Sequence, residues 1–337
     1  MNFVKRLLKW IFIVLVVLMA VYLLGPNPST PVYTNALPTV PADAAALENY
    51  ITKHEAQHKV KPENEARVIW ANDSTKQKTA YAIVYLHGFS ASQEEGAPVH
   101  KAIAKKFGCN LFLARLAEHG IDTSEQMMNL TANNYWESVK HAYTIGKQLG
   151  NKIIIMGTST GGSNALQLAA SFPEISSLVL LSPNIAINDP NAFLTNNPWG
   201  LQIARQVKGS NYNITKDQRD IYKKYWYSKY RLEGIVALQE YLETVMVPAT
   251  FKKITQPTLM LYYYKDEVHQ DSVVKVSAML KMFDELGTVA DQKRKVAMPN
   301  TGDHVIGGYI KSNDYQGVEA EVTKFMTDIL RMQMIQQ

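Results

Sequence analysis

The chain reads as an α/β protein: a mostly parallel sheet covered by helices on both faces, with an N-terminal transmembrane helix and a helical cap insertion. Three observations predict this. Short apolar runs alternate with helix-like segments of crossover length, as parallel strands require. One run, 153–156, ends in Gly157-Thr158-Ser159-Thr160-Gly161 and turns directly into the helix-like Asn164-Ala165-Leu166-Gln167-Leu168. About 75 residues between Leu181 and Pro257 hold no strand candidate at all.

The first element is the apolar run Trp10 to Leu24, which Leu7-Leu8 extend to about 18 residues, preceded by Lys5, Arg6 and Lys9. At 1.5 Å per residue it spans roughly 27 Å, near the hydrocarbon thickness of a bilayer. The basic flank predicts a single-pass membrane anchor, N-terminus cytoplasmic and the remainder extracytoplasmic. Secretion after signal cleavage is the alternative. Against it, no small-x-small site follows the run, and Gly25-Pro26 makes an awkward junction. Prolines 26, 28, 31, 38 and 41 then predict an extended tether that lifts the rest off the bilayer. Asp43 is placed to cap a helix running to about residue 59.

Strands are expected over 67–71, 81–86, 110–113, 153–156, 178–181, 258–264 and 294–298. Helices are expected over 98–107, 135–149, 164–172, 272–286 and 317–334. The chain thus divides into an anchor (1–25), a Pro-rich tether with a short helix (26–60) and an α/β domain (61–337) whose cap insertion covers about 184–250. Within that insertion, Ile235, Leu238, Tyr241, Leu242 and Val245 form an apolar helical stripe. Tyr222, Tyr225, Trp226, Tyr227 and Tyr230 are expected mostly to pack the cap onto the core, one or two of them facing substrate.

The chemistry begins at Ser159. A strand that stops at a serine and turns at once into a helix holds the hydroxyl above the sheet edge, and the sharp turn demands small flanking residues, met by Gly157 and Gly161. The Thr160 N–H then lies at a helix N-terminus, facing an incoming oxyanion. The run 81–86 leads into His87-Gly88-Phe89, where the Phe89 N–H is the candidate second oxyanion donor. The run 258–264 ends in Lys265-Asp266-Glu267-Val268-His269, which places Asp266 as the orienting acid and Glu267 as its substitute if the register slips by one. His304 follows the last strand. It is the histidine that fits the order Ser, acid, base, because His87, His100, His119 and His141 precede the serine and His269 lies too close to Asp266.

These stretches resemble the α/β-hydrolase superfamily, in particular its esterase, lysophospholipase and monoglyceride-lipase-like members. The matching motifs are His87-Gly88-Phe89, Arg115-Leu116-Ala117-Glu118-His119-Gly120, Gly157 to Gly162, Asp266-Glu267-Val268 and Asp303-His304-Val305. The likeness runs from about residue 66 to the C-terminus. It departs at Ala117-Glu118, where such enzymes often carry Pro-Gly. The resemblance implies a serine hydrolase cleaving carboxylic esters, possibly lipid-derived, through an acyl-enzyme and without metal or organic cofactor. Acyl transfer, amide cleavage and a non-catalytic binding role on the same fold are the alternatives.

The remaining features narrow the partners. A net charge of +5, part of it from Lys5, Arg6 and Lys9, gives no nucleic-acid surface. The single cysteine, Cys109, excludes an internal disulfide and is expected to be buried. His54-Glu55-Ala56-Gln57-His58 matches the zinc pattern H-E-x-x-H on an expected helix. Its helix is short, is flanked by Lys53 and Lys59, and offers no evident third ligand, so the motif is read as structural.

Overall fold

The computed structural model describes residues 2–335, and its central feature is a seven-stranded sheet. The elements run in chain order: α1 (Asn2–Leu23), α2 (Ala44–Glu55), β1 (Arg67–Ile69), β2 (Thr79–Leu86), α3 (Val99–Lys106), β3 (Asn110–Leu113), α4 (Ala132–Leu149), β4 (Gly150–Thr158), α5 (Thr160–Ser171) and β5 (Ser177–Leu181). The segment between β5 and β8 carries α6 (Gly200–Lys208), β6 (Tyr212–Ile214), α7 (Asp220–Tyr225), β7 (Lys229–Arg231), α8 (Leu232–Val245) and α9 (Pro248–Phe251). Strand β8 (Thr258–Tyr262), α10 (Val276–Glu285), β9 (Lys293–Ala297) and α11 (Tyr315–Asp328) complete the fold.

The sheet order is β1-β3-β2-β4-β5-β8-β9, parallel throughout except for β1, which pairs antiparallel with β3. Side chains alternate across the pleat and so divide the core in two. Ala82, Val84 and Leu86 of β2, with Ile153 and Ile155 of β4, face the side packed by α4, α5, α8 and α10. Ile83 and Tyr85, with Ile154 and Met156, face α3 and α11. Cys109 is buried on this second side. A strand buried on both faces reads as a continuous apolar run, and both β2 and β4 do.

Three expectations change. The insertion is not purely helical: β6 and β7 pair as a two-stranded antiparallel ribbon. Strand β8 ends at Tyr262 and α10 starts only at Val276, which leaves a loop of consequence below.

The third change concerns residues 26–41, expected as a free tether. They form a strap packed on the domain. The Val32 N–H donates to Asn133 Oδ1 at 2.9 Å and the Tyr33 hydroxyl lies 2.7 Å from Thr244 Oγ1. Trp136 Nε1 donates to the Thr34 carbonyl at 2.8 Å. Lys140, 1% exposed along its side chain, donates to Thr34 Oγ1 (3.1 Å) and the Ala36 carbonyl (2.9 Å) and pairs with Glu137 at 2.8 Å. A buried ammonium must be hydrogen-bonded to be tolerated, and the Thr34 hydroxyl, the Ala36 carbonyl and Glu137 supply those bonds. At the other end, Trp199 donates its indole N–H to the Val21 carbonyl and its backbone N–H to the Pro26 carbonyl, both at 2.9 Å.

Lys140→Ala is expected to cost about 2 kcal/mol, because it removes the buried charged donor that ties Thr34 and Ala36 of the strap to α4. Lys147→Ala, on an exposed part of the same helix, is expected to stay within about 0.5 kcal/mol. Calorimetric melting of both variants checks this; equal Tm losses would refute the role given to Lys140.

Candidate active site

Ser159 sits between β4 and α5 with φ 55° and ψ −121°, a conformation that a residue bearing a Cβ rarely adopts and that costs about 1–3 kcal/mol. Close packing holds it there. A Cβ at Gly157 would overlap the Gly161 carbonyl, and one at Gly161 would overlap the carbonyl of Leu86 at the end of β2. The Ser159 N–H donates to Leu181 O at 2.9 Å, and the Ser159 carbonyl accepts the N–H groups of Gly162 (2.8 Å) and Asn184 (2.9 Å). The hydroxyl is thereby presented to a cavity of about 530 Å³, which His304 also lines.

His304 is buried, and its Nδ1 lies 2.5 Å from Asp271 Oδ2. Its Nε2 has no hydrogen-bond partner among the described residues. Burial by itself would depress the imidazole pKa. The charge and hydrogen bond of Asp271 outweigh it, and the net direction is upward. The other Asp271 oxygen accepts the N–H groups of Val273 (2.8 Å) and Val274 (3.0 Å), which orients the carboxylate and satisfies it.

Asp266, the expected acid, is elsewhere. Its Oδ1 accepts the N–H groups of Val268 (3.0 Å) and His269 (2.8 Å) and lies 2.9 Å from His269 Nδ1, so it closes its own exposed loop. Glu267 is likewise exposed and accepts the Tyr264 hydroxyl at 2.9 Å. The chain makes a small excursion here: Tyr264 and Gln270 bridge antiparallel, and the Asp271 N–H returns to the Tyr263 carbonyl at 3.2 Å. The carboxylate that reaches His304 therefore stands where the excursion ends. A sequence signal existed, since Asp271-Ser272-Val273 repeats the D-x-V spacing of Asp266-Glu267-Val268.

The two expected oxyanion donors line the same cavity. Thr160 is the first residue of α5, so its N–H has no acceptor within the helix. The Phe89 N–H is held by its turn. His87 Nδ1 lies 2.9 Å from the Gly88 carbonyl and its Nε2 accepts the Leu116 N–H at 3.0 Å, which fixes the tautomer as Nδ1–H. Burial pushes the His87 pKa down to about 4 and keeps the ring neutral. From the insertion, the Tyr227 N–H donates to Ser90 O at 2.8 Å, tying β7's approach to the same turn.

Of the five aromatic residues expected in the cap, Tyr222, Trp226 and Tyr230 line the cavity. Tyr222 and Trp226 stack 5.0 Å apart, and Tyr230 meets the Phe89 ring edge-on at 5.4 Å. Tyr225 and Tyr227 serve packing: their hydroxyls bond Glu63 and the backbone of Glu118 and Ile121. The H-E-x-x-H glutamate is also occupied. Glu55 accepts Arg115 Nε at 2.6 Å and the Ala66 N–H at 3.0 Å in a buried pair that joins α2 to the loop after β3.

Comparison with known proteins agrees with this architecture. Residues 117–189 match a family model described as an alpha/beta hydrolase of unknown function (DUF1057). A thermostable monoacylglycerol lipase from Bacillus sp. (strain H-257) is 32% identical over 108 residues, 32% of this chain and 42% of that protein. The match thus spans less than half the length of that curated relative. Among solved structures, one from a study of the metagenome-derived lipolytic enzymes LipS and LipT aligns with a TM-score of 0.63 at 17% identity, covering 79% of this chain and 98% of that one. A soluble variant of monoglyceride lipase from Saccharomyces cerevisiae aligns at 0.59 with 13% identity, covering 78% and 90%. Est1E from Butyrivibrio proteoclasticus with bound ferulic acid aligns at 0.55 with 18% identity, covering 79% and 95%. The chain has the α/β-hydrolase fold.

Asp271→Asn is expected to lower kcat on a soluble p-nitrophenyl ester by about 10³–10⁴-fold, through loss of the correct imidazole tautomer. Asp266→Asn is expected to stay within about threefold, since its bonds lie in an exposed loop. Equal losses, with both variants folded by circular dichroism, would show that the acid is neither one alone.

Proposed function

We propose that this protein is a membrane-anchored serine hydrolase of carboxylic esters, with Ser159 as nucleophile, His304 as general base and Asp271 as orienting acid. The observation that carries the reading is the buried His304–Asp271 pair: its Nε2 has no hydrogen-bond partner among the described residues, and His304 lines the cavity that Ser159 lines from a strained elbow. A histidine with one nitrogen fixed by a carboxylate and the other unpartnered is built to take and return a proton.

In the first half-reaction Ser159 Oγ attacks the ester carbonyl while His304 Nε2 takes its proton. Asp271 stabilises the resulting imidazolium, and the Phe89 and Thr160 N–H groups receive the tetrahedral oxygen. Collapse expels the alcohol, which leaves with the proton from His304. Water then attacks the acyl-enzyme with the same base, and the acid product departs. Every bonding change is accounted for by the chain, the ester and one water.

The substrate class follows from the walls. Tyr222, Trp226, Tyr230, Ile235 and Leu238 make an apolar side to the cavity, suited to an acyl chain. The monoacylglycerol and monoglyceride lipases among its relatives favour a lipid-derived ester. Helix α1 supports membrane residence: within residues 3–23 an 18-residue stretch has a mean hydropathy of 2.3, and none of that stretch is buried. We read it as an uncleaved span with the catalytic domain, residues 61–337, on the far side from a cytoplasmic N-terminus. The strap 26–60 joins the two and packs as part of the domain.

Fluorophosphonate labelling of the detergent-solubilised full chain is expected to be complete in wild type and absent in Ser159→Ala. Labelling that persists in the variant would overturn the assignment of the nucleophile. The labelling rate should fall on acidification with a midpoint above the ordinary histidine value of about 6.5, because Asp271 raises His304 and only its neutral form accepts the serine proton. A midpoint below that value would contradict the pairing.

A further inference from the structure

A second carboxyl group lies in the cavity, and the serine mechanism has no use for it as acid or base. Glu95, in the 3₁₀ turn Gln93–Gly96, is 2% exposed and lines the cavity with Ser159 and His304. Its Oε1 accepts the N–H of Gly88, the residue immediately before the Phe89 amide. A Cβ built on Gly88 would stand 3.0 Å from Ser159 Cβ and 3.2 and 3.3 Å from the two Glu95 oxygens. Carboxyl and nucleophile therefore flank the same backbone atom of the oxyanion turn.

The groups facing Glu95 bring it little positive charge. From β2 comes Tyr85, whose hydroxyl lies 2.8 Å from Thr158 Oγ1. Helix α3 contributes His100, which burial pushes down to about 3 and so keeps neutral, its Nε2 2.8 Å from the Gln93 carbonyl. Helix α4 brings Tyr135 and the cap Tyr222, both neutral phenols. Glu94, its neighbour in the turn, is paired with Lys101 at 2.9 Å. The last loop brings His304, cationic only during the reaction or at acid pH. Burial thus dominates and raises the Glu95 pKa to about 8, with the Gly88 N–H and His304 opposing it.

We propose that Glu95 is a positioning residue which, as the undissociated acid, holds the Gly88–Phe89 turn so that the Phe89 amide faces the oxyanion, and whose ionisation closes the site to turnover in alkali. The proposal rests on the serine-hydrolase reading above. A neutral carboxyl accepts the Gly88 N–H without opposing the negative charge that develops beside it. A carboxylate in the same place repels the oxyanion as it develops, and that slows acylation. As pH rises through the Glu95 pKa the proton is lost and activity falls. On the acid side, activity is limited by protonation of His304, so the profile is a bell.

The test is kcat and kcat/KM of the detergent-solubilised full chain on a soluble p-nitrophenyl ester, from about pH 6 to 10, for wild type, Glu95→Gln and Glu95→Ala. Wild type is expected to decline with an alkaline midpoint near 8. Glu95→Gln, whose amide oxygen accepts the same N–H, should keep kcat at pH 7 within about threefold and lose the alkaline decline. Glu95→Ala should lower kcat about tenfold or more with KM little changed, because the freed turn misplaces one oxyanion donor. An alkaline decline that survives in Glu95→Gln overturns the proposal, as does Ala behaving like Gln throughout. If the alanine variant does not fold, the glutamine profile still decides. Fluorophosphonate labelling of the same samples separates the two readings: labelling of wild type that does not need Ser159 sinks the serine-hydrolase reading, whereas Ser159-dependent labelling with an unchanged profile in Glu95→Gln sinks only the role of Glu95.

Discussion

Helix α5 begins so close to the ends of β2 and β4 that no side chain fits between them, and the remainder of the site follows from that approach. Gly161 lies against the Leu86 carbonyl and Gly157 against Gly161. With the helix pressed this far in, the residue that joins strand to helix must turn through a positive φ, and that residue is Ser159. The cost of the strained turn is met by the packing on either side, since β4 and α5 are buried along most of their length. The same approach brings the start of α5 beside the His87-Gly88-Phe89 turn, because that turn continues directly from the strand whose carbonyl Gly161 touches. One close contact thus places the serine hydroxyl and both candidate oxyanion amides at one sheet edge.

Buried polar groups help to keep that edge rigid. Neutral His87 bridges the Gly88 carbonyl and the Leu116 N–H, so the turn after β2 is fixed to the loop after β3. His119 sits beside it, its Nδ1 2.7 Å from the Ala117 carbonyl and its ring stacked on Tyr135 of α4. Arg115 ties that loop to Glu55 of α2. These residues are chemically capable and structurally occupied. Hydrogen bonds at low dielectric make them good fixings, and a neutral imidazole costs far less to bury than a charged one. Of His100, His119 and His304, which each keep an unpartnered nitrogen, it is His304 that lines Ser159's cavity.

The strands were legible because burial on both faces writes itself as an apolar run, and β2, β4, β5 and β8 were each expected within a few residues of where they lie. Ser159 and His304 were expected from chain order, which is a property of the fold, and both line one cavity. Asp271 was not, and the reason is local. The apolar character of Tyr263 and Tyr264 extends the run beyond the last sheet pair at Tyr262, so the strand appears to deliver its acid at Asp266. The hairpin excursion that returns the chain five residues later depends on a backbone bridge between Tyr264 and Gln270, and backbone pairing leaves no mark on side-chain periodicity. Glu95 escaped for a related reason. A carboxyl in Gln93-Glu94-Glu95-Gly96 looks solvated, and only the tertiary position of the turn shows that Glu94 meets a lysine while Glu95 points inward.

The strap shows how composition can suggest the wrong mechanics. Five prolines and few charges fit an extended free linker, and the segment is indeed without helix or strand. Yet an extended chain also offers a row of unpaired carbonyls, and α4 supplies donors for them in Trp136 and the buried Lys140. Proline loses little backbone freedom on ordering, so laying such a segment down costs less than for an ordinary loop. Once it is laid down, the end of the apolar helix is held to the cap through Trp199 rather than by the length of a linker. The separation between the proposed bilayer span and the cavity is then set by packing, and lengthening the proline segment would have to break the Lys140 bonds before it could change that separation.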